Sequence, residues 1–246
     1  MTKRARLDSV LVEQGLFPSR EQAQRAVMAG EVKLGDRVLN KSSVLVEPGA
    51  ELTVAAAPKF VGRGGLKLEG ALNHFAIDPA GMTALDIGAS TGGFTDCLLQ
   101  RGAGKVYAID VGHGQLAWKI RQDSRVVVRE NLNARHLSRE DITDPIDLCV
   151  IDVSFISLTL ILPRAFELVT ANGVILALIK PQFELEKRDV GRGGIVSDPL
   201  LHEKAKGKIE HFVRQSPHEV IGLTPSPITG ADGNQEFFIC VRRQSA

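Results

Sequence analysis

Residues 84–94 read Ala84-Leu85-Asp86-Ile87-Gly88-Ala89-Ser90-Thr91-Gly92-Gly93-Phe94, and this stretch decides the fold. A short apolar run reads as a buried strand. It ends at an acid and passes into a glycine-rich turn that opens a helix, here Thr91–Arg101. Glycines permit positive φ and let a backbone come close to a ligand. The spacing Gly88-x-x-x-Gly92-Gly93 is not GxGxxG, and the loop lacks the lysine of a P-loop.

Working outward, the same strand-then-helix unit repeats. Thr83–Ile87, Val106–Asp110, Val126–Arg129, Leu148–Val153 and Val174–Ile179 are short apolar runs that read as buried parallel strands. Helical stretches lie at Gly114–Arg121 and Ser157–Leu168, and two late strands at Glu219–Leu223 and Glu236–Val241 complete the sheet. The pattern is doubly wound α/β. Residues 1–57 read as a small separate unit, 58–62 as a linker within the aperiodic stretch Ala55–Gly62, and 63–246 as the large domain. In the small unit Leu7, Val10, Leu11 and Gly15 give one apolar helical face. Ser19 caps a second helix that Gly30 stops. Val32–Leu34 and Val38–Leu39 flank a tight turn, and Glu51–Val54 makes a last strand.

Composition narrows the classes. Of 246 residues 43% are hydrophobic and 24% charged, which fits a folded, soluble chain. The net charge of +1 rules out a histone-like tail. Residues 1–70 hold 11 Lys/Arg against 8 Asp/Glu, so the basic excess lies at the N-terminal end. Cys97, Cys149 and Cys240 are far apart and odd in number, so neither a metal site nor a disulfide framework is expected, and a reduced, cytoplasmic setting is. The longest apolar run, Val174–Ile179, falls far short of the roughly 20 residues of a membrane helix.

Chemistry concentrates at strand ends, because ligands of open α/β sheets bind beyond the carboxyl edge. The turn at Gly88, Ser90, Gly92, Gly93 and Phe94 follows Asp86, and Asp110 ends the next strand, where a carboxylate can accept from ribose hydroxyls. Together they suggest a nucleoside-bearing cofactor, with S-adenosylmethionine favoured over NAD. Asp152 ends the fourth strand and Lys180 the fifth, so both point at the same crevice. A lysine there can serve as a base if desolvation or a nearby cation lowers its pKa. Lys67 and Glu236, taken alone, are an ordinary helix lysine and a strand-edge carboxylate. Arg4, Arg6, Arg20, Arg25, Lys33 and Lys41 are spread through the small unit, where folding could gather several into a phosphate-binding patch.

At this point the residues carry a family resemblance. Arg6-Leu7-Asp8, Pro18-Ser19-Arg20 and Gly30-Glu31-Val32 resemble an S4 RNA-binding domain. The remainder resembles the FtsJ-like ribose 2′-O-methyltransferases, through Gly62-Arg63-Gly64-Gly65-Leu66-Lys67-Leu68, the turn at 86–94, Asp152-Val153-Ser154-Phe155-Ile156-Ser157-Leu158 and Lys180-Pro181-Gln182-Phe183-Glu184. Both together are similar to the TlyA, or haemolysin A-like, family. The resemblance implies a Rossmann-like class I methyltransferase sheet with a small α+β S4 domain in front. It implies a catalytic tetrad of Lys67, Asp152, Lys180 and Glu236, S-adenosylmethionine as methyl donor, and a cytidine ribose of ribosomal RNA as acceptor. Lys180 is then the expected base, its pKa lowered by Lys67. Asp110 takes the cofactor ribose, Asn131 the adenine region and Phe155 the methionine end, and Arg63 joins the RNA-facing cations. Two alternatives remain: an inactive RNA-binding assembly factor, and a membrane-active haemolysin, for which the chain offers no spanning segment and no strongly amphipathic basic helix.

Overall fold

The apolar residues of the N-terminal segment fall on two short helices that face each other. After a two-residue strand β1 (Ala5–Arg6), helix α1 (Leu7–Glu13) buries Leu7, Val10 and Leu11, and α2 (Arg20–Met28) buries Ala23, Ala26 and Val27. The Gln22 N–H donates to Ser19 Oγ at 3.4 Å, the expected cap. Gly15 does not belong to the apolar face: its φ of 72° lies just past α1, where the chain turns away. Strands β2 (Val32–Leu34) and β3 (Arg37–Val38) form the expected hairpin. A short strand β4 (Leu45–Val46) pairs with β1, and β5 (Leu52–Val54) pairs with β2. The computed structural model describes residues 4–28, 30–54 and 58–244, so Ala55-Ala56-Ala57 of the expected linker lie outside the described residues. Contacts divide the chain into Met1–Lys59 and Phe60–Ala246. Phe60 is buried in the core of the second unit.

The second unit begins with α3 (Gly64–His74) and alternates strand and helix: β6 (Thr83–Ile87), α4 (Gly93–Gln100), β7 (Lys105–Ile109), α5 (Trp118–Arg121), β8 (Val126–Arg129), β9 (Ile146–Ile151) and α6 (Leu162–Leu168). Then come β10 (Val169–Ile179), α7 (Pro181–Glu184), α8 (Pro199–Arg214), β11 (His218–Pro225) and β12 (Phe237–Arg243). Seven strands form one sheet in the order β11-β12-β10-β9-β6-β7-β8. The five from β6 to β10 are parallel to one another, whereas β12 runs antiparallel to both β10 and β11.

The strands are apolar on both faces because helices cover both. Leu85, Ile109, Cys149, Ile151, Ile175 and Ile179 face a core closed by α6 and α8; Ala84, Val106, Leu148, Val150, Leu176 and Leu178 face one closed by α3, α4 and α5. The expected helix Gly114–Arg121 shrinks to α5, because Gly112–Gln115 is a loop with Gly114 at a φ of 68°. Ser157–Leu168 splits into a 3-10 turn and α6. Pro163 sits in the first turn of α6, where its missing N–H costs nothing. Helix α8, absent from the sequence expectation, has Asp198 Oδ1 accepting from Leu200 N at 2.9 Å and buries Ala205, Ile209 and Val213.

Candidate active site

The carboxyl ends of β6, β9 and β10, together with the amino end of the antiparallel β12, bring Asp152, Lys180 and Glu236 to one end of the sheet. Ile87 pairs with Ile151, so Gly88 and Asp152 leave adjacent strands side by side. Ile179 pairs with Phe237 in antiparallel register, so Lys180 and Glu236 leave theirs at one level. Lys180 Nζ lies 2.6 Å from Asp152 Oδ1 and donates to Ser154 Oγ at 2.9 Å. Lys67 Nζ donates to Glu236 Oε2 at 2.5 Å. Lys67, Lys180 and Glu236 are all buried. A Cβ built on Gly64, the first residue of α3, would lie 3.9 Å from Asp152 Oδ2, which sets the start of that helix beside Asp152; Lys67 follows one turn later. The ion-pair partner of each amine is thus a carboxylate.

A cavity of about 1050 Å³ opens beside this edge, lined among others by Gly88, Ser90, Asp110, Asn133, Asp152, Phe155 and Gln182. It is large enough for a nucleoside-bearing cofactor. Asp110 is fixed in its wall by two backbone donors. Its Oδ2 accepts from Ser90 N and its Oδ1 from Gly112 N, both at 2.7 Å. Each oxygen keeps a lone pair for a ligand hydroxyl. Among the described residues Gln182 Oε1, in the cavity wall, is a buried side-chain oxygen without a hydrogen bond, and Asp152 Oδ1 has the Lys180 amine as its ion-pair partner. Ser90, Asn131 and Phe155 adopt positive φ at 48°, 58° and 63°, so backbone strain gathers along the same edge. These features fit a bound nucleoside.

Several expected contacts sit elsewhere. Asp86 is fully buried, does not line the cavity, and accepts from Thr95 Oγ1 at 2.6 Å. Burial pushes its carboxyl up to about 7, against the lowering effect of the Thr95 hydroxyl, with Asp152 and Asp110 adding repulsion. It props the glycine turn from beneath. Phe94 is core, stacked on Phe238 with ring centroids 6.1 Å apart, although it borders a smaller cavity with Gly88 and Gly93. Gly88, at a φ of 89°, is required by the protein itself: a Cβ there would meet the Asp152 carbonyl oxygen at 2.3 Å. Gly92 packs against Leu116, and Gly93 lets the starts of α3 and α4 approach. Asn131 is exposed and lies 3.4 Å from His113 Nδ1; its neighbours Leu132 and Asn133 line the cavity instead. Phe155 is 91% exposed at the rim, its ring 5.1 Å from that of Phe183. Sequence reasoning missed Ser154, although the segment that holds it was in view, and Gln115, which accepts from Ser90 Oγ at 3.4 Å.

The FtsJ-like methyltransferase model matches residues 60–243, and the S4 domain model matches residues 5–52. The chain belongs to the FtsJ-like methyltransferase family. This FtsJ-like chain is 44% identical over 247 residues to the 16S/23S rRNA (cytidine-2′-O)-methyltransferase TlyA of Mycobacterium tuberculosis, covering 100% of this chain and 92% of that one. It is 42% identical over 233 residues to Hemolysin A of Brachyspira hyodysenteriae, covering 94% and 97%. A solved structure from Streptococcus thermophilus, provisionally called a hemolysin, superposes with a TM-score of 0.76 at 42% identity, over 100% of this chain and 90% of that chain. An S-adenosylmethionine-dependent methyltransferase from Mesorhizobium loti reaches 0.55 at 15% identity, over 74% and 100%, a likeness of fold alone. The FtsJ-like chain is therefore a methyltransferase of the TlyA type, with the expected Rossmann-like sheet and an S4 domain in front.

Within the S4 unit, buried Asp8 gathers the cations. Its carboxylate accepts from Arg6 Nε at 3.1 Å, from the Arg6 and Arg20 terminal nitrogens at 3.0 Å each, and from Gln24 at 2.7 Å. The Arg6 hydrogen bonds hold its carboxyl well below the usual range. Arg6 and Arg20 thus carry a structural bond, yet both side chains stay about half exposed. Arg4 lies 4.0 Å from Glu47, while Arg25, Lys33 and Lys41 are exposed, as is Arg37, a cation not expected from sequence. In the large unit, exposed Arg63 donates to the Thr229 carbonyl at 3.2 Å. No helix of the described residues is long and apolar enough to cross a membrane.

Proposed function

We propose that this chain methylates the ribose 2′-hydroxyl of a cytidine in ribosomal RNA, within cytoplasmic ribosomal subunits, using S-adenosylmethionine. The Lys180–Asp152 ion pair on the rim of a nucleoside-sized cavity carries the reading. Asp110, Ser90 and Gly88 hold the cofactor, Asp110 through its ribose. When bound, the cofactor supplies a methyl group on a positively charged sulfur. A ribose hydroxyl is a weak nucleophile at neutral pH, so proton removal during attack is the work left to the protein. Lys180 Nζ receives the hydroxyl proton while passing one of its own to Asp152 Oδ1, an oxygen free of other hydrogen bonds. Ser154 fixes the direction of the amine. The Lys67–Glu236 pair orients the acceptor ribose from the other side. The S4 unit grips phosphates through Arg6, Arg20, Arg25, Lys33 and Lys41, with Arg4 and Arg63 as further cations.

The test is mass-spectrometric mapping of ribose methylation in ribosomal RNA from cells with and without the protein. A cytidine 2′-O-methyl mark that depends on the protein, and on Lys180, is expected. Identical maps would refute the reading.

A further inference from the structure

Lys180 enters a four-residue helix, α7, too short to hold itself in place. What fixes the far end of that turn therefore bears on where the amine sits. Glu184 closes it, and its side chain is 2% exposed. Glu184 Oε2 accepts from Ser157 Oγ at 2.5 Å and from Lys208 Nζ at 3.0 Å, and Oε1 accepts from Leu158 N at 2.7 Å. Lys208 also donates to the Glu184 carbonyl at 2.7 Å. Three segments meet on this one carboxylate. One is the turn that begins at Lys180. The second is the loop after β9, which carries Asp152 and Ser154, the two partners of Lys180. The third is α8, anchored on the sheet through Ala205, Ile209 and Val213.

We propose that Glu184, braced by Lys208, is a positioning residue that holds the Lys180 turn against the Asp152–Ser154 loop and so sets the geometry of proton removal. The inference rests on the role assigned to Lys180 above. Glu184 is not itself a lining residue of the cavity or a member of the ion pair, although it holds Ser157, which lines the wall. It acts through the segments it joins. Displacement of a reacting group by about 1 Å can cost on the order of 100-fold in rate, without loss of binding.

The test uses the full chain with ribosomal subunits as acceptor. Glu184→Ala should lower kcat by roughly 10–100-fold, while the KM for both substrates and the Kd for S-adenosylmethionine stay within about twofold, as expected for a group outside the binding surface. Glu184→Gln keeps an oxygen for Leu158 N and a polar group for Ser157, and should recover most of the rate. Lys208→Met, a change at a half-exposed site, removes one arm of the brace and should fall between. A folded Glu184→Ala protein with wild-type kcat overturns the proposal, as does parallel loss of kcat and cofactor affinity. If Glu184→Ala does not fold, Lys208→Met at the wild-type rate overturns it. A second readout is independent of the acceptor: the side-chain ammonium resonance of Lys180, assigned by its absence in Lys180→Ala, should move in Lys208→Met. An unmoved resonance overturns the brace. A wild-type protein inactive on ribosomal RNA would overturn the functional reading, with the resonance still deciding the brace.

Discussion

Asp86 is a fully buried carboxyl whose protonation the fold has altered, and Asp86→Asn tests that directly. Its carboxyl stands at about 7 in the folded chain, against about 3.9 for an unfolded aspartate. The folded state therefore holds the proton more tightly than the unfolded state. No penalty exists below about pH 4; stability falls as pH rises from there, and the full cost is present above about pH 7. Three pK units at 1.36 kcal/mol each give a ceiling of about 4 kcal/mol. Between pH 5 and pH 8 the change amounts to about 2–3 kcal/mol. Asparagine keeps an acceptor for Thr95 and has no charge to bury, so its stability carries no such slope. The advantage of Asp86→Asn over wild type should widen by that amount from pH 5 to pH 8, or by roughly 5–10 °C in midpoint. Unfolding followed by fluorescence reports the right unit, because the single tryptophan, Trp118, lies in it. Parallel stability curves for the two proteins across this range would refute the assignment.

Replacing Gly88 by alanine drives a Cβ to 2.3 Å from the Asp152 carbonyl at a positive φ; calorimetric titration should find S-adenosylmethionine binding abolished and a stability loss of about 1–3 kcal/mol. Lys67→Met strands the buried Glu236 carboxylate and should cost roughly 3–5 kcal/mol by denaturant titration, whereas Lys67→Met with Glu236→Leu recovers most of the stability and none of the methylation. Neutralising Lys33 or Lys41 should flatten the salt dependence of RNA binding by about one unit of slope each, read by filter binding from low to moderate salt. Asp8, held low by Arg6, contributes stability that is complete at neutral pH and is lost as the solution is acidified below the ordinary aspartate range. Asp8→Asn should erase that acid-side dependence and lower RNA affinity by releasing both arginines.

The strands were legible because burial on both faces leaves a continuous apolar run with abrupt ends: Thr83–Ile87 and Val126–Arg129 match to the residue. Helix α8 was not, although Asp198, Pro199 and the spacing of Ala205, Ile209 and Val213 were in view. Its mostly polar surface hides a narrow buried stripe. Asp152 and Lys180 could be placed from chain position, since strand ends define the crevice. Lys67 and Glu236 could not, because 169 residues separate them and their contact depends on the register of β12. The glycines of the turn were read as room for a ligand; Gly88 and Gly93 turn out to make room for neighbouring backbone. Sequence spacing reveals that a close approach occurs, but not what approaches.

The last strand gives the two halves of the enzyme different dates of assembly. Strands β6, β7 and β9 are complete by residue 151, whereas the cavity wall runs on to Phe183 and β12 enters between β10 and β11 before Glu236 can meet Lys67. On the proposed reading the cavity wall closes only at Phe183 and the Lys67–Glu236 pair only at residue 236, so that pair is the last part of the site the chain supplies.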